Sequence, residues 1–153
     1  MTIAMTLFRR TLIRTVRFRA THHYHVPEWD EERNRETFGA QAEPHGHDYR
    51  VDVTVAGPPD SETGFVADLS ELDAVLREEV VGPLHDQDLN RAIPEIAEGT
   101  MQPSTEALAE WVYRRVAPRV REPARVIRVR VSESDDLAGE IEVRTGPGER
   151  VSA

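Results

Sequence analysis

The stretch at residues 44–55, PHGHDYRVDVTV, decides how the rest of the chain can be arranged. Its valines alternate with polar residues, which is typical of a β-strand because residues i and i+2 point to the same side. His45 and His47 stand at the head of this run. The residues on their side are His45, His47, Tyr49, Val51, Val53 and Val55. The pattern therefore predicts a strand whose apolar face ends in two imidazoles that point into a partly buried space.

A second strand is predicted from Thr11 to His22, where Arg14 is the one break in an apolar parity that includes Phe18 and Ala20. His22 extends that apolar face, so two neighbouring strands would bring three imidazoles together. Neutral imidazole is a common zinc ligand, and a catalytic zinc ion takes three protein ligands and keeps one open position. We therefore predict a Zn²⁺ site formed by His22, His45 and His47. His23 and His25 remain rivals for the third place, although His23 has the opposite parity and His25 lies beyond the regular run.

The composition narrows the class of protein. The 153 residues suit one domain with a real core, which we expect over residues 1–153 with loose ends at 1–10 and 146–153. The absence of cysteine excludes disulfides and thiolate ligands, and the absence of lysine excludes a Schiff base and a P-loop. The net charge of −9 argues against nucleic acid and anionic membranes as partners. No apolar stretch is long enough for a membrane span, and no signal-peptide cleavage pattern follows the first ten residues, so we expect a cytoplasmic protein.

The remaining elements follow from local signals. A charged connection, residues 27–42, is expected to be either a functional loop or a solvated one. Asp68 with Glu71 forms a capping box for a helix that we expect to end at Gly82-Pro83. A second helix starts after Ser104, and two strands are predicted at 126–133 and 137–143. This order predicts an α+β fold, a four-stranded antiparallel sheet with two helices on one face, whose other face or edges need burial in an oligomer.

Two further places carry chemistry. His85-Asp86 follows the first predicted helix, and a histidine beside a carboxylate is a candidate acid–base element. Glu133 ends the predicted apolar stripe of Ile127, Val129 and Val131. A carboxylate there is costly unless it is paired or binds a ligand. An ion pair with an arginine at the end of the sheet is the structural alternative to a ligand site.

Taken in order, several segments of the chain resemble the 6-pyruvoyl-tetrahydropterin synthase family, which includes the 6-carboxy-tetrahydropterin synthases of queuosine biosynthesis. These segments are FRATH at 18–22, FG at 38–39, HGHDY at 45–49, GFVADL at 64–69, LN at 89–90, STEALA at 104–109 and VSE at 131–133. The resemblance implies the tunnelling fold and a barrel of subunits, usually a hexamer of two trimers. It also implies a zinc ion on His22, His45 and His47 at a subunit interface, with Glu133 binding the amidine-like edge of a pterin.

Two departures from the family pattern concern the proton chemistry. Gln41 stands where family enzymes have a catalytic cysteine, and the family's Asp-His pair is reversed here as His85-Asp86. Glu43 is a second candidate base, because some branches of the family use a glutamate in this region. We assign His85, Asp86 and Glu43 as catalytic candidates. Gln41 and Thr105, together with Glu133, are assigned to substrate binding.

The resemblance predicts a zinc-dependent lyase that acts on 7,8-dihydroneopterin triphosphate or a related pterin. One alternative is a repurposed relative that uses the zinc site and His85 on a different substrate in a specialised biosynthetic pathway. The other is a non-catalytic subunit that binds a pterin or only assembles.

Overall fold

The computed structural model describes residues 8–144, which form one sheet with helices packed on one side. The strands are β1 (Thr11–His22), β2 (His45–Ala56), β3 (Gln87–Asp88), β4 (Arg125–Ser132) and β5 (Ala138–Glu142). The helices are α1 (Glu31–Phe38), α2 (Leu69–Leu76), α3 (Gly82–Leu84), α4 (Leu89–Ala92), α5 (Pro94–Ala97) and α6 (Thr105–Val116). Most of the expected loose ends, residues 1–7 and 146–153, lie outside the described residues.

The sheet has the order β3-β1-β2-β4-β5. β1 and β2 are antiparallel over their whole length, from Thr11 opposite Ala56 to His22 opposite His45. β4 and β5 continue the antiparallel sheet, as predicted, so the α+β class is confirmed. The sheet has five strands instead of four, because β3 pairs in parallel with Ala20 and Thr21. A strand of two residues is too short to produce an alternating pattern that a sequence can reveal.

The core lies between the sheet and its helices. Val51, Val53 and Val55 of β2 are fully buried, as are the facing side chains of α6. The apolar stripe that α6 turns toward the sheet is buried at Leu108, Trp111, Val112 and Val116. At its start, Ser104 caps the helix by accepting a hydrogen bond from the Ala107 N–H. Burial of these apolar side chains is the main source of stability for the sheet.

One strand parity was predicted wrongly. The sheet register shifts between Thr54 and Val55, so that Val55 pairs with Val126 while Thr54 pairs with Arg128. This bulge leaves Ile127 opposite no residue of β2, and Val126 takes the buried place that the alternation assigned to Ile127. A bulge inserts one residue and reverses the parity beyond it, which a regular period of two cannot anticipate.

Two connections also differ from expectation. The charged connection at 27–42 holds α1, whose N-terminus is capped by Asp30, and a 3₁₀ turn at Gly39–Ala42. The helix that begins after Asp68 does not end at Gly82-Pro83, because a π-helical turn, Arg77–Val81, leads directly into α3. A Cβ at residue 82 would lie 2.9 Å from the Arg77 carbonyl oxygen, so glycine allows this tight passage.

The face of the sheet opposite the helices is charged rather than apolar. Arg17, Arg50 and Arg130 lie on it with their side chains exposed, and Arg50 donates a hydrogen bond to Asp52 at 3.1 Å. The charge of this face allows it to remain in water in the single chain, and burial of the face or the edges in an oligomer stays a prediction. The edge of the sheet still has unpaired backbone, since β3 covers only Ala20 and Thr21 among the described residues of β1.

Candidate functional site

Three histidines meet at one end of the sheet. The register of β1 and β2 places His22 directly opposite His45, with His47 two residues further along the same face. One ligand nitrogen from each histidine lies within 4.8 Å of the other two, and the Nε2 atoms of His22 and His47 are 3.1 Å apart. The structure therefore brings together the three residues that the sequence proposed, in a cluster that could hold a metal ion.

Backbone carbonyls orient two of these rings. With the proton on Nδ1, His22 donates to the Pro103 carbonyl oxygen at 3.1 Å and His45 donates to the Glu43 carbonyl oxygen at 2.8 Å. In each ring, Nε2 is then unprotonated and its lone pair is free to bind a metal. A hydrogen bond from one ring nitrogen to a backbone carbonyl thus selects the other nitrogen as the metal ligand. The donor set therefore fits a zinc ion.

The protonation of His22 supports the same reading. Burial and, to a smaller extent, the neighbouring rings of His45 and His47 together lower its pKa to about 4. The imidazole of His22 is therefore neutral near pH 7, the form in which histidine binds metals.

The two rival histidines lie outside the cluster. The rings of His23 and His25 face each other at 6.5 Å, and the backbone N–H of His23 donates to Asn90 Oδ1 at 2.9 Å. Within the described chain, the cluster of three histidines that could hold a metal contains neither of them.

Glu133 adjoins the histidine cluster. Its Oε2 atom lies 3.8 Å from His47 Nε2 and 4.0 Å from His22 Nε2. The residue is buried, and that oxygen has no hydrogen-bond partner among the described residues. The structural alternative, an ion pair with an arginine, is not found among the described ion pairs of Glu133.

Sequence reasoning missed two tyrosines that border the cluster. The ring of Tyr24 lies 5.3 Å from that of His22, and burial raises the pKa of Tyr24 to about 12, helped by the charges of Glu133 and Glu106. Tyr49 is fully buried, and its ring lies 5.6 Å from that of His47. The shared parity of Tyr49 with the histidines was a usable signal, whereas no local pattern marked Tyr24.

Helix α1 supports the wall of the site on the Tyr24 side. The ring of Phe38, the last residue of α1, stacks on Tyr24 at 5.4 Å and on Trp29 at 6.0 Å. Buried Asn34 anchors the segment by accepting from the Val26 N–H and donating to the Val26 carbonyl oxygen. The charged connection at 27–42 is therefore not merely a solvated loop, because it carries rings that pack beside the cluster.

The turn after α1 brings backbone, but not side chains, to the cluster. The Gln41 carbonyl oxygen accepts from the Tyr24 N–H at 3.0 Å, and the Glu43 carbonyl oxygen holds His45. The side chains of Gln41 and Glu43 are both exposed. Thr105, at the start of α6, is buried and donates to Glu106 Oε2 at 3.1 Å. Within one chain, none of these three side chains forms a hydrogen bond with the histidine cluster or Glu133.

His85 and Asp86 lie beside Arg19 instead of the histidines. His85 Nδ1 accepts from the Arg19 N–H at 3.2 Å, and the Asp86 carboxylate binds the Arg19 guanidinium at 2.8 Å. Asp86 adopts a φ of 58°, and its N–H donates to the Arg19 carbonyl oxygen at 2.7 Å. Arg19 precedes His22 by three strand residues, or about 10 Å, and has the opposite parity. Within one chain, the candidate acid–base pair is therefore displaced from the cluster.

The fold and the site define an α+β protein with a three-histidine centre at one end of an antiparallel sheet. Residues 11–143 match the family model described as 6-pyruvoyl tetrahydropterin synthase. The chain belongs to this family, which supports a lyase of the pterin-synthase type.

Sequence similarity to known proteins supports the same family assignment. A 6-pyruvoyl tetrahydrobiopterin synthase of Poecilia reticulata is 32% identical over 127 residues, covering 81% of this chain and 84% of the relative. The enzyme of the same name from Homo sapiens is 30% identical over 125 residues, covering 80% and 84%.

Solved structures show the same fold. The 6-pyruvoyl tetrahydropterin synthase of Caenorhabditis elegans superimposes with a TM-score of 0.80 at 23% identity, covering 90% of this chain and all (100%) of that one. A variant of the Plasmodium vivax enzyme superimposes with a TM-score of 0.62 at 17% identity, covering 90% of this chain and 99% of that one. In the described part of this chain, no helix is long and apolar enough to cross a bilayer.

Proposed function

We propose that this protein is a zinc-dependent lyase that acts on 7,8-dihydroneopterin triphosphate or a related pterin. One observation carries the proposal: the imidazoles of His22, His45 and His47 converge beside buried Glu133, whose Oε2 atom has no hydrogen-bond partner among the described residues. Three histidine nitrogens suit a zinc ion, and a carboxylate accepts two parallel hydrogen bonds from an amidine-like edge. Membership of the family makes a pterin the heterocycle that both features would serve.

Some residues of the site would bind the metal ion and others the substrate. His22, His45 and His47 would hold the zinc ion, which when bound supplies Lewis-acid polarisation of a hydroxyl or carbonyl on the substrate side chain. Glu133 would orient the ring, and its burial protects that contact from water. Thr105 and Gln41 would line the substrate side, where Thr105 lies at the start of α6, two residues after the carbonyl that orients His22.

Proton transfer is assigned to His85, oriented by Asp86, with Glu43 as the weaker candidate. His85 is half-exposed near the edge of the sheet, where a neighbouring subunit can reach it. We therefore propose that the active site is completed between subunits, in a homo-oligomer that the family resemblance predicts to be a hexamer of two trimers. The unpaired edge of β1 supports such assembly. Light scattering should show the oligomer, and a stable monomer at micromolar concentration would contradict it.

Product analysis tests the reaction. The zinc-loaded protein is incubated with 7,8-dihydroneopterin triphosphate, and the products are identified by mass spectrometry, which also distinguishes a pyruvoyl from a carboxy product. A Gln41→Cys variant is the matched sample, because it restores the thiol that family enzymes have at this place. Turnover by the wild type, increased in the variant, is expected. If both proteins are inert on every dihydropterin tried, the pterin assignment is wrong.

The alternative functions have one specific observation in their favour. Within one chain, the Gln41 side chain is exposed, and the His85 ring forms its hydrogen bond with the Arg19 backbone and not with the histidine cluster. A repurposed enzyme would retain zinc and depend on His85 but convert a different substrate. A binding subunit would take up a pterin with measurable affinity and release it unchanged, so a binding measurement beside the product assay separates the two.

A further inference from the structure

The hydroxyl of Tyr49 is a hydrogen-bond donor without an acceptor. The residue has 0% exposed surface, and its oxygen has no hydrogen-bond partner among the described residues. Buried hydroxyls in native proteins are nearly always paired, because an unpaired one loses its bonds to water without replacement. Such an atom therefore needs an explanation, and a ligand that arrives from outside the chain is one.

The ring of Tyr49 is held firmly in place. It stacks on Phe18 at 4.9 Å with an angle of 13° between the planes, and it presents itself edge-on to His47 and His22 at 5.6 and 6.1 Å. These contacts fix the position of the ring beside the histidine cluster. A rigid donor of this kind binds with little loss of side-chain entropy.

Glu133 provides the complementary atom. Among the described side chains, two buried oxygen or nitrogen atoms have no hydrogen-bond partner, the Tyr49 hydroxyl and Glu133 Oε2. Both belong to residues that border His47. A tyrosine phenol carries its proton near neutral pH, so the hydroxyl is available as a donor. One unsatisfied donor and one unsatisfied acceptor thus belong to buried residues that both lie beside His47.

We propose that Tyr49 is a ligand-binding residue whose hydroxyl donates to an acceptor atom of the heterocycle, a carbonyl oxygen or a ring nitrogen, while Glu133 accepts from its N–H groups. The inference rests on the proposed function and adds a second polar contact to it. A planar ring that presents N–H donors and an acceptor on one edge satisfies both atoms at once. A ligand that offers only donors would leave the Tyr49 hydroxyl unpaired.

The substitution Tyr49→Phe tests the proposal, because it removes the oxygen and keeps the ring that packs on Phe18. Thermal unfolding is measured for the protein without pterin and again with 7,8-dihydroneopterin triphosphate, both after zinc loading. Pterin affinity is measured by fluorescence titration. Tyr113→Phe is the matched control, since Tyr113 lies on α6 and is only partly buried.

The expected result separates stability from binding. Without pterin, the melting temperature of Y49F should equal or exceed that of the wild type, because an unsatisfied hydroxyl has been removed. Pterin affinity should fall about three- to tenfold, the range of one neutral hydrogen bond, and the ligand-induced rise in melting temperature should shrink. Zinc content should be unchanged, and Y113F should bind pterin like the wild type.

Three outcomes would overturn the inference. A lower melting temperature of Y49F with unchanged pterin affinity would show a structural hydrogen bond of the folded chain. If melting temperature and pterin affinity are both unchanged in Y49F, the Tyr49 hydroxyl contributes to neither folding nor binding. If the zinc-loaded wild type binds no pterin, the proposed function fails and the inference with it, whereas wild-type binding that persists in Y49F overturns the Tyr49 role alone.

Discussion

Two histidine-bearing regions of this protein contrast in how their polar atoms are satisfied. At the end of the sheet, His22 and Glu133 are buried, and Glu133 Oε2 has no hydrogen-bond partner in the described chain. Beside the edge strand, His85 and Asp86 are half-exposed, and both are engaged by Arg19. In the first region, a metal ion and a ligand could provide the missing contacts of the polar atoms. In the second region, the contacts with Arg19 already satisfy the polar atoms without a ligand.

The contrast shows which evidence points to function. An exposed ion pair such as Asp86–Arg19 contributes little stability and demands no explanation. A buried carboxylate oxygen without a hydrogen bond is costly, so Glu133 Oε2 is an atom for which a bound ligand would provide compensation. The site at the histidine cluster is therefore well supported by the geometry, while a catalytic role of His85 depends on an encounter between subunits.

The largest expected effect is on the metal. His47→Ala should lose its bound zinc, because two imidazoles remain where three form the site. Metal analysis of the purified protein measures this, with His25→Ala as the matched control that keeps full zinc. Full zinc in the His47 variant, or loss of zinc in the His25 variant, would show that another histidine is the third ligand.

The second expected effect concerns His85. If His85 serves as the acid–base group, His85→Ala should lower turnover by about 10²–10⁴ while zinc content stays unchanged. Steady-state kinetics on the zinc-loaded oligomer measures this. Undiminished turnover would show that His85 is not the acid–base group and only contacts the Arg19 backbone. Glu43 would then be the remaining candidate, and the variant Glu43→Gln would test it.

The third expected effect concerns Glu133. Glu133→Gln should weaken pterin binding by about 10- to 100-fold, since charge-assisted hydrogen bonds contribute roughly 1.5–3 kcal/mol. The thermal stability of the protein without pterin should change little or increase, because a buried carboxylate that lacks a hydrogen-bond partner has been neutralised. A strong loss of thermal stability with intact binding would favour a structural role and would remove the contrast between the two regions.

The smallest expected effect concerns the other region. Arg19→Ala breaks an ion pair in which both side chains are more than half exposed, so it should lower the free energy of unfolding by less than about 1 kcal/mol. Denaturant titration measures this. A much larger loss would mean that the Arg19–Asp86 contact holds β3 to the sheet.

Much of this organisation was predictable from local patterns. The bounds of β1 were predicted correctly, and so were a strand through residues 45–55 and the shared face of His22, His45 and His47. Asp68 caps its helix as the capping box indicated. These features depend on the period of two in a strand and on hydrogen bonds within one turn, both of which involve residues that are neighbours in sequence.

Other features required the folded chain. The bulge at Val55, the π-helical turn before Gly82 and the short strand β3 have no distinct local pattern. Helix α1 was missed because its charged residues show no apolar stripe, and its contacts are formed by Asn34 and Phe38 with distant positions. Whether the charged outer face of the sheet is buried in an oligomer depends on contacts between chains, which no pattern within one chain reveals.

The sequence by itself determined that three imidazoles share one side of two strands, because side-chain direction in a strand follows from position alone. Only the tertiary structure decided which atoms around them are unsatisfied. Among the described residues, the Tyr49 hydroxyl and Glu133 Oε2 have no hydrogen-bond partner, although both residues are buried beside the paired strands. Whether a buried polar atom is paired depends on every element that surrounds it, and that information is distributed over the whole chain.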